Sequence, residues 1–364
     1  MGAAPWGGSE ELWSGAAARL LDAGHSVAAH VFAWHPRVPQ IEKLRKAGAS
    51  IIERPGWSRA PVRMLRFALG RPLSAAPFAR GDSMPDLVVV SQGHPFEGVP
   101  VMNECAKRGW KYVSVTQANG TVYWPDDRRA DAARTAYSSA LTNFFVARDN
   151  WRMLCDQLAC EVRHELVSNP FTVPSEPQTP PRIGKAGLSL ACVARLDPLS
   201  KGQDLFLHAL AQPRWRARPV EIGFFGTGRC ESLLKALAAR LALERATFHG
   251  HVENIEAVWA EHDALVLPSR MEGTPLALIE AMLCSRTAVV TDVGGNAELI
   301  EDNVSGFVAA APTPDLLDEA LERLWQRRGE MAALGEAARR RALAVVPRDP
   351  IGDFADRLLA LVRG

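Results

Sequence analysis

Glu272-Gly-Thr-Pro-Leu-Ala-Leu-Ile-Glu280 sets two carboxylates around a Gly-Thr-Pro turn and an apolar run, and Thr291-Asp-Val-Gly-Gly-Asn-Ala-Glu298 follows closely behind it. The fixed φ and missing N–H of Pro275 suit the first position of a helix, so Leu276–Met282 is expected to be helical. That helix starts beside Glu272. Its first amides, with those of Gly273 and Thr274 in the turn, lack intrahelical partners and lie at the positive end of the helix dipole. A phosphate oxygen or a sugar hydroxyl could be held there. Glu280 falls roughly five residues into the helix, about 7.5 Å along it, so the two carboxylates can reach different parts of one extended ligand. Carboxylates accept paired hydrogen bonds from vicinal hydroxyls.

Outward from this stretch, strand-like and helical patterns alternate along the whole chain, as in parallel sheets covered on both faces. In the first half the strand-like runs are Val27–Ala33, Leu87–Ser91, Tyr112–Thr116 and Phe144–Ala147. Helical patterns fill the gaps at Glu10–Ala23, Gln40–Ala47, Pro61–Leu69, Pro100–Arg108 and Arg129–Leu141. Prolines at 170, 174, 177, 180 and 181 then mark a linker. A second series follows, with strands expected near Leu188–Ala194, Val220–Phe225, Ala264–Leu267, Thr287–Val290 and Gly306–Ala309. The expected division is an N-terminal domain over 1–170, a linker over 171–185, a second domain over 186–347, and a C-terminal helix over 348–364.

Composition narrows the function. A chain of 364 residues with 47% apolar content is long enough for about two domains with buried cores. A net charge of +1 argues against a dedicated nucleic-acid binder. The six cysteines form no Cys-x2-Cys pair and no cluster with zinc spacing, and are expected to be reduced and mostly buried. No stretch approaches the ~20 apolar residues of a membrane span, and the N-terminus lacks the apolar core of a signal peptide, so a cytoplasmic chain is expected.

The Glu272–Glu280 pattern with its Gly294-Gly295 turn resembles the E-x7-E signature of retaining glycosyltransferases of the group 1, family 4, glycogen-synthase-like kind. A bare pair of glutamates at this spacing is common by chance. The order along the chain is what makes the resemblance specific: Ala264-Leu-Val-Leu267, Pro268-Ser269, Glu272-Gly-Thr-Pro275, Ala288-Val-Val-Thr291, then Gly294-Gly295. The resemblance implies an α/β fold of two Rossmann-like, doubly wound domains facing across a cleft, the GT-B architecture. The nucleoside-diphosphate sugar would lie mainly on the second domain and a hydroxyl acceptor, glycan or lipid-linked, mainly on the first. The last segment, Ile351–Val362, would cross back to the first domain.

Cleaving a sugar from a diphosphate leaves an anion that a metal or fixed cations must neutralise. No Asp-x-Asp pair occurs in the sequence, whereas Arg195-Leu-Asp-Pro-Leu-Ser-Lys201-Gly202 places two cations after a strand. Arg clamps two oxygens and Lys supplies a point charge. This segment matches the family's diphosphate-binding stretch. A metal-independent site with no cofactor is therefore expected, with Arg195, Lys201 and Glu272 at the reacting centre. Gly273, Thr274, Pro275 and Leu276 would lie along the donor, with Glu280 on the ribose. Gly226-Thr-Gly228 is a Gly-rich turn that equally suits a plain tight turn, and His249-Gly-His-Val252 resembles the segment whose backbone lies against the nucleobase, near Val252.

On the acceptor side, His94 ends the run Asp86–Ser91-Gln-Gly, where the family often has a cleft histidine, though a structural histidine reads equally well. Gln117 and Asn119 stand where many relatives carry another histidine, and Trp6 and Trp124 flank presumed cleft loops and could stack on an acceptor. Gly7-Gly8-Ser9 fits a Gly-rich turn near the donor, with Ser9 as helix cap. The family has a strand before that turn, and here its place is missing, which the resemblance explains best by a truncated start. The segment 59–71 carries Arg59, Arg63 and Arg66 on one face, as a peripheral contact at the inner face of a membrane would, or as an ordinary solvated helix would. Other readings on the same frame are a sugar-nucleotide epimerase or a non-catalytic nucleotide-sugar-binding protein.

Overall fold

The computed structural model describes residues 6–33, 38–55, 84–174 and 187–363. The chain divides into two compact units, one of Met1–Val146, Trp151–Pro170 and Asp349–Gly364, the other of Ala147–Asn150 and Phe171–Arg348. Segment 59–71, with the basic face expected there, lies outside the described residues, as does most of the Pro-rich stretch. The start of that stretch is no free linker. Val173 is 3% exposed in the core of the second unit, beside the half-buried Phe171.

The second unit is one six-stranded parallel sheet. Its strands are β7 (Leu188–Val193), β8 (Val220–Phe225), β9 (Ala246–Gly250), β10 (Ala264–Leu267), β11 (Thr287–Thr291) and β12 (Phe307–Ala309). They lie in the order β12-β11-β10-β7-β8-β9. The inner strands β7, β10 and β11 read as near-continuous apolar runs because both faces are covered, whereas the edge strand β9 alternates half-buried and exposed residues. Leu190 and Cys192 enter one core with Phe206, Phe224 and Leu321, while Ala191, Leu265 and Leu267 enter the other with Trp259, Ile279 and Met282. The chain winds outward from β7 through β8 and β9, then returns to place β10 on the other side of β7. The order therefore reverses between β7 and β10, and in open α/β sheets the loops leaving such a pair of strands form the ligand crevice. Here those loops are 194–202 and 268–275.

The first unit holds a four-stranded parallel sheet, β3 (Val88–Gln92), β4 (Tyr112–Thr116), β5 (Asn143–Phe145) and β6 (Glu165–Leu166), and a separate parallel pair, β1 (Ala28–Ala33) and β2 (Ser50–Pro55). Helices Gly8–Asp22 and Pro350–Arg363 cover one face of the larger sheet through Leu12, Ala16, Phe354 and Leu358 against Val113, Val115 and Phe144. Helices Val99–Arg108 and Asp127–Ser138 cover the other. A cavity of about 1650 Å³ is lined by residues of both β1 and β3.

One local expectation is corrected. Ser9 does not cap the first helix, which begins at Gly8 with Gly7 as its cap residue, and the Ser9 hydroxyl instead donates to Glu10 Oε2 at 2.6 Å. Ser9 is the second helical residue, two positions past the cap, and from there a side chain cannot reach the orphan amides of that turn. Trp6 is half-buried, with its ring centroid 6.1 Å from that of Trp13 and its Nε1–H donating to Glu11 Oε1 at 2.5 Å. None of the six cysteines is in a disulfide, and three of them are buried. No helix among the described residues is long and apolar enough to cross a membrane.

Candidate functional site

The loops after β7 and β10 meet through the backbone. Arg270 N–H and Met271 N–H donate to Ser200 O at 2.9 and 3.2 Å, and the Arg270 guanidinium holds Asp204 through two bonds of 2.6 and 2.7 Å. This anchoring carries Lys201, at the end of a short helix over Pro198–Lys201, to Glu272. Lys201 Nζ donates to both Glu272 oxygens, at 2.7 and 2.8 Å, and the Ser269 hydroxyl donates to Oε1 at 2.7 Å. Glu272 is only 5% exposed. A carboxylate that deep is stable only when paired and hydrogen-bonded, and this one is both.

Arg195 stands apart from that pair. Its guanidinium lies 3.6 Å from Asp197, which also faces Arg229 at 3.4 Å and accepts from Ser200 Oγ at 3.3 Å. Asp197 therefore holds two half-exposed or exposed cations beside the turn where Lys201 begins. The turn at Gly226–Gly228 packs directly under Arg195: Gly226 has φ +130°, and a Cβ there would stand 2.2 Å from Ala194 O. That close approach explains the glycine.

The helix after Glu272 runs Leu276–Leu283, with Pro275 as its cap residue and not its first helical residue. Pro275 keeps an extended ψ of 123°, and its carbonyl accepts from Leu278 N–H at 3.1 Å. The Gly294-Gly295 turn closes over the same loop, with Gly295 N–H donating to Gly273 O at 2.7 Å. Gly294 N–H donates to Asp149 Oδ2 at 3.2 Å. Glu280 is 7% exposed, and its Oε1 accepts from the Thr172 amide and hydroxyl at 3.3 and 2.7 Å.

Among the second-unit residues named from sequence, Lys201, Glu272 and Gly273 to Leu276 come together at the crevice, and Arg195, Gly226 and Gly228 form the adjoining turn. Val252 is half-buried against the core beside the helix over Ile255–Glu261. His249 stacks on Phe225 with ring centroids 4.5 Å apart. Sequence reasoning missed Ser269, Asp197, Asp149 and Thr172. Ser269, three residues before Glu272 and just past a strand, carried a usable signal. Thr172 and Asp149 did not, because their partners are over 100 residues away.

In the first unit, His94 stacks on Tyr123 with centroids 4.1 Å apart and has Glu97 at 3.6 Å. Burial holds its imidazole below the ordinary 6.5, against the opposing pull of the Glu97 carboxylate. The depressed folded value means that the stability neutral His94 contributes is full above pH 6.5 and is lost as pH falls through the folded value. His94→Gln is expected to flatten that acid-side loss in denaturation midpoints measured from pH 7 to 5. Gln117 Oε1 accepts from Asn169 at 2.7 Å, and its Nε2 is buried without a hydrogen bond. Asn119 is tied to Gln157 and to Gly120 N–H, at 3.0 and 2.8 Å. Trp124 is 60% exposed and lines the cavity with His94. Gly7 and Gly8 open the first helix.

Comparison with known proteins bears on this geometry. The profile of the family described as glycosyl transferases group 1 matches residues 187–327. An alpha-D-kanosaminyltransferase of Streptomyces kanamyceticus is 34% identical over 128 residues, 34% of this chain and 33% of its own length. A D-inositol 3-phosphate glycosyltransferase of Frankia alni is 34% identical over 186 residues, 45% of each chain. The chain thus spans less than half the length of these relatives. A GDP-mannose-dependent phosphatidylinositol monomannoside mannosyltransferase of Mycolicibacterium smegmatis is 29% identical over 42% of this chain and 43% of its own. Among solved structures, HepE of Anabaena in complex with UDP superposes with a TM-score of 0.72 at 17% identity, covering 99% of this chain and 98% of its own. A sucrose-phosphate synthase of Thermosynechococcus elongatus gives 0.67 at 16% identity over 96% and 92%. At such identity the likeness shows the fold, that of GT-B glycosyltransferases. The profile covers the whole sheet with Lys201, Glu272 and the helix over Leu276–Leu283 that bears Glu280, and residues 187–327 accordingly form a group 1 glycosyltransferase domain.

Proposed function

We propose that this chain is a retaining glycosyltransferase that moves a sugar from a nucleoside diphosphate to a hydroxyl acceptor without a metal. The observation that carries the reading is the meeting of Lys201 and Glu272 at the reversal between β7 and β10, beside the start of the helix over Leu276–Leu283. The diphosphate would lie against Lys201, Arg195 and the amides of Gly273 and Thr274. Glu272 would hold hydroxyls of the donor sugar and Glu280 those of the ribose. Arg195 and Lys201 supply the fixed positive charge that a metal supplies elsewhere, which supports metal independence. In the transfer the bond between sugar C1 and the diphosphate oxygen breaks while the acceptor oxygen bonds to C1. The acceptor proton passes to the departing phosphate oxygen on the same face, so no protein nucleophile is needed. These carboxylates hold hydroxyls, unlike the acid and base that flank the scissile bond in a hydrolase.

HepE holds UDP, and the mycolicibacterial relative is named as GDP-mannose-dependent, so both bases belong in the test. A panel of UDP-, GDP- and ADP-sugars is expected to yield one donor that raises Tm and is slowly hydrolysed or transferred in the presence of EDTA. Glu280→Ala is expected to weaken its binding by about tenfold or more, the usual cost of removing a charged hydrogen-bond acceptor. Binding and turnover unchanged in both Glu280→Ala and Arg195→Ala would overturn the assignment.

A further inference from the structure

Glu280 sits on the second turn of its helix with one oxygen already engaged. Thr172 gives both its amide and its hydroxyl to Oε1, at 3.3 and 2.7 Å. A carboxylate oxygen has about two lone-pair directions, so these two donors fill Oε1 and leave Oε2 for another partner. Thr172 itself is exposed, and an exposed threonine has water available for its hydroxyl. The bond therefore does more for the carboxylate than for the threonine. On either side the chain is anchored in the second unit: Val173 is 3% exposed in its core, and the half-buried Phe171 packs against the same core. Thr172 thus stands on a backbone held on both sides by the second unit, to which Glu280 also belongs.

We infer that Thr172 is a positioning residue that turns Glu280 so that Oε2 alone faces the ribose hydroxyls, and so makes the site discriminate ribonucleotides from deoxyribonucleotides. The inference rests on the nucleotide-sugar reading given above. Two vicinal hydroxyls converging on one fixed oxygen require the carboxylate to be locked about its last torsion. A carboxylate free to rotate would accept from whichever hydroxyl is present and would distinguish the analogues less.

The test is calorimetric titration with whichever of UDP, GDP and ADP binds best, alongside its 2′-deoxy and 3′-deoxy forms. The wild type is expected to prefer the ribonucleotide by tenfold or more. Thr172→Val, which keeps the shape and the amide but removes the hydroxyl, is expected to lose most of that preference, and Thr172→Ser to keep it. With the full donor, Thr172→Val should raise KM with kcat nearly unchanged, as loss of uniform binding does. Thr172→Ala, read in the same way, guards against a packing fault specific to valine. If Glu280→Gln abolishes the ribose preference while both Thr172→Val and Thr172→Ala retain it, the positioning role is overturned and the nucleotide reading stands. If the wild type shows no ribose preference, or Glu280→Gln leaves it intact, the assignment of Glu280 fails and the role of Thr172 falls with it.

Discussion

Lys201→Ala is expected to abolish turnover, by at least about 10²-fold, and to lower the stability of the second unit by about 3–5 kcal/mol. The two effects share one cause. Glu272 is 5% exposed and the Lys201 side chain 22%, so the pair is largely shielded from water. Removing the ammonium leaves a buried carboxylate with the Ser269 hydroxyl still donating to it, at 2.7 Å. Such an uncompensated charge costs far more than the net worth of the intact pair, because that pair already carries a desolvation penalty. The double variant Lys201→Met, Glu272→Leu should therefore recover most of the stability, since it removes both charges and keeps the volume. It should recover none of the activity. The calorimetric transition of each variant and the rate with the preferred donor separate these outcomes. A double variant no more stable than Lys201→Ala, or a Lys201→Ala enzyme that still turns over, would refute the account.

The same pair shows where sequence reading stops. Ala264-Leu-Val-Leu267 and Leu276–Leu283 were legible because a buried parallel strand and the helix after it are written in consecutive residues, and both lie where the apolar runs placed them. Ser50–Pro55 was not read as a strand, since only Ile51 and Ile52 are apolar and Glu53, Arg54 and Pro55 follow. Glu165–Leu166 is too short to leave a pattern. Arg195, Lys201, Glu272 and Glu280 could be picked out one by one, from loop position and charge. That Lys201 binds Glu272 directly could not, because 71 residues separate them and only the reversal of strand order beside β7 joins their loops. The Thr172 contact with Glu280, across 108 residues, depends in the same way on the path of the chain and not on any local signal.

Gly294→Val should destabilise the second unit by about 2–4 kcal/mol and weaken donor binding by at least about tenfold, without touching a charged residue. Gly294 has φ +54°, a left-handed conformation that a β-branched residue resists. A Cβ there would also stand 2.3 Å from Glu272 O and 2.9 Å from Gly273 O. Those neighbours are backbone atoms of the loop that carries Glu272, and that loop is anchored by Gly295 N–H on Gly273 O at 2.7 Å. No side chain can swing aside, so the loop itself must move, and the amides of Gly273 and Thr274 move with it. Gly329 supplies the control: it lies in the same unit with nothing within 4 Å of an added Cβ, and Gly329→Ala should change stability by less than about 0.5 kcal/mol. Thermal unfolding with and without the preferred nucleotide measures both terms in one experiment, as the Tm of the free protein and the increment on binding. An unchanged ligand increment in Gly294→Val would mean that the Glu272–Thr274 backbone does not contact the donor. An unchanged Tm in the free protein would mean instead that the Gly-Gly turn does not need its glycine.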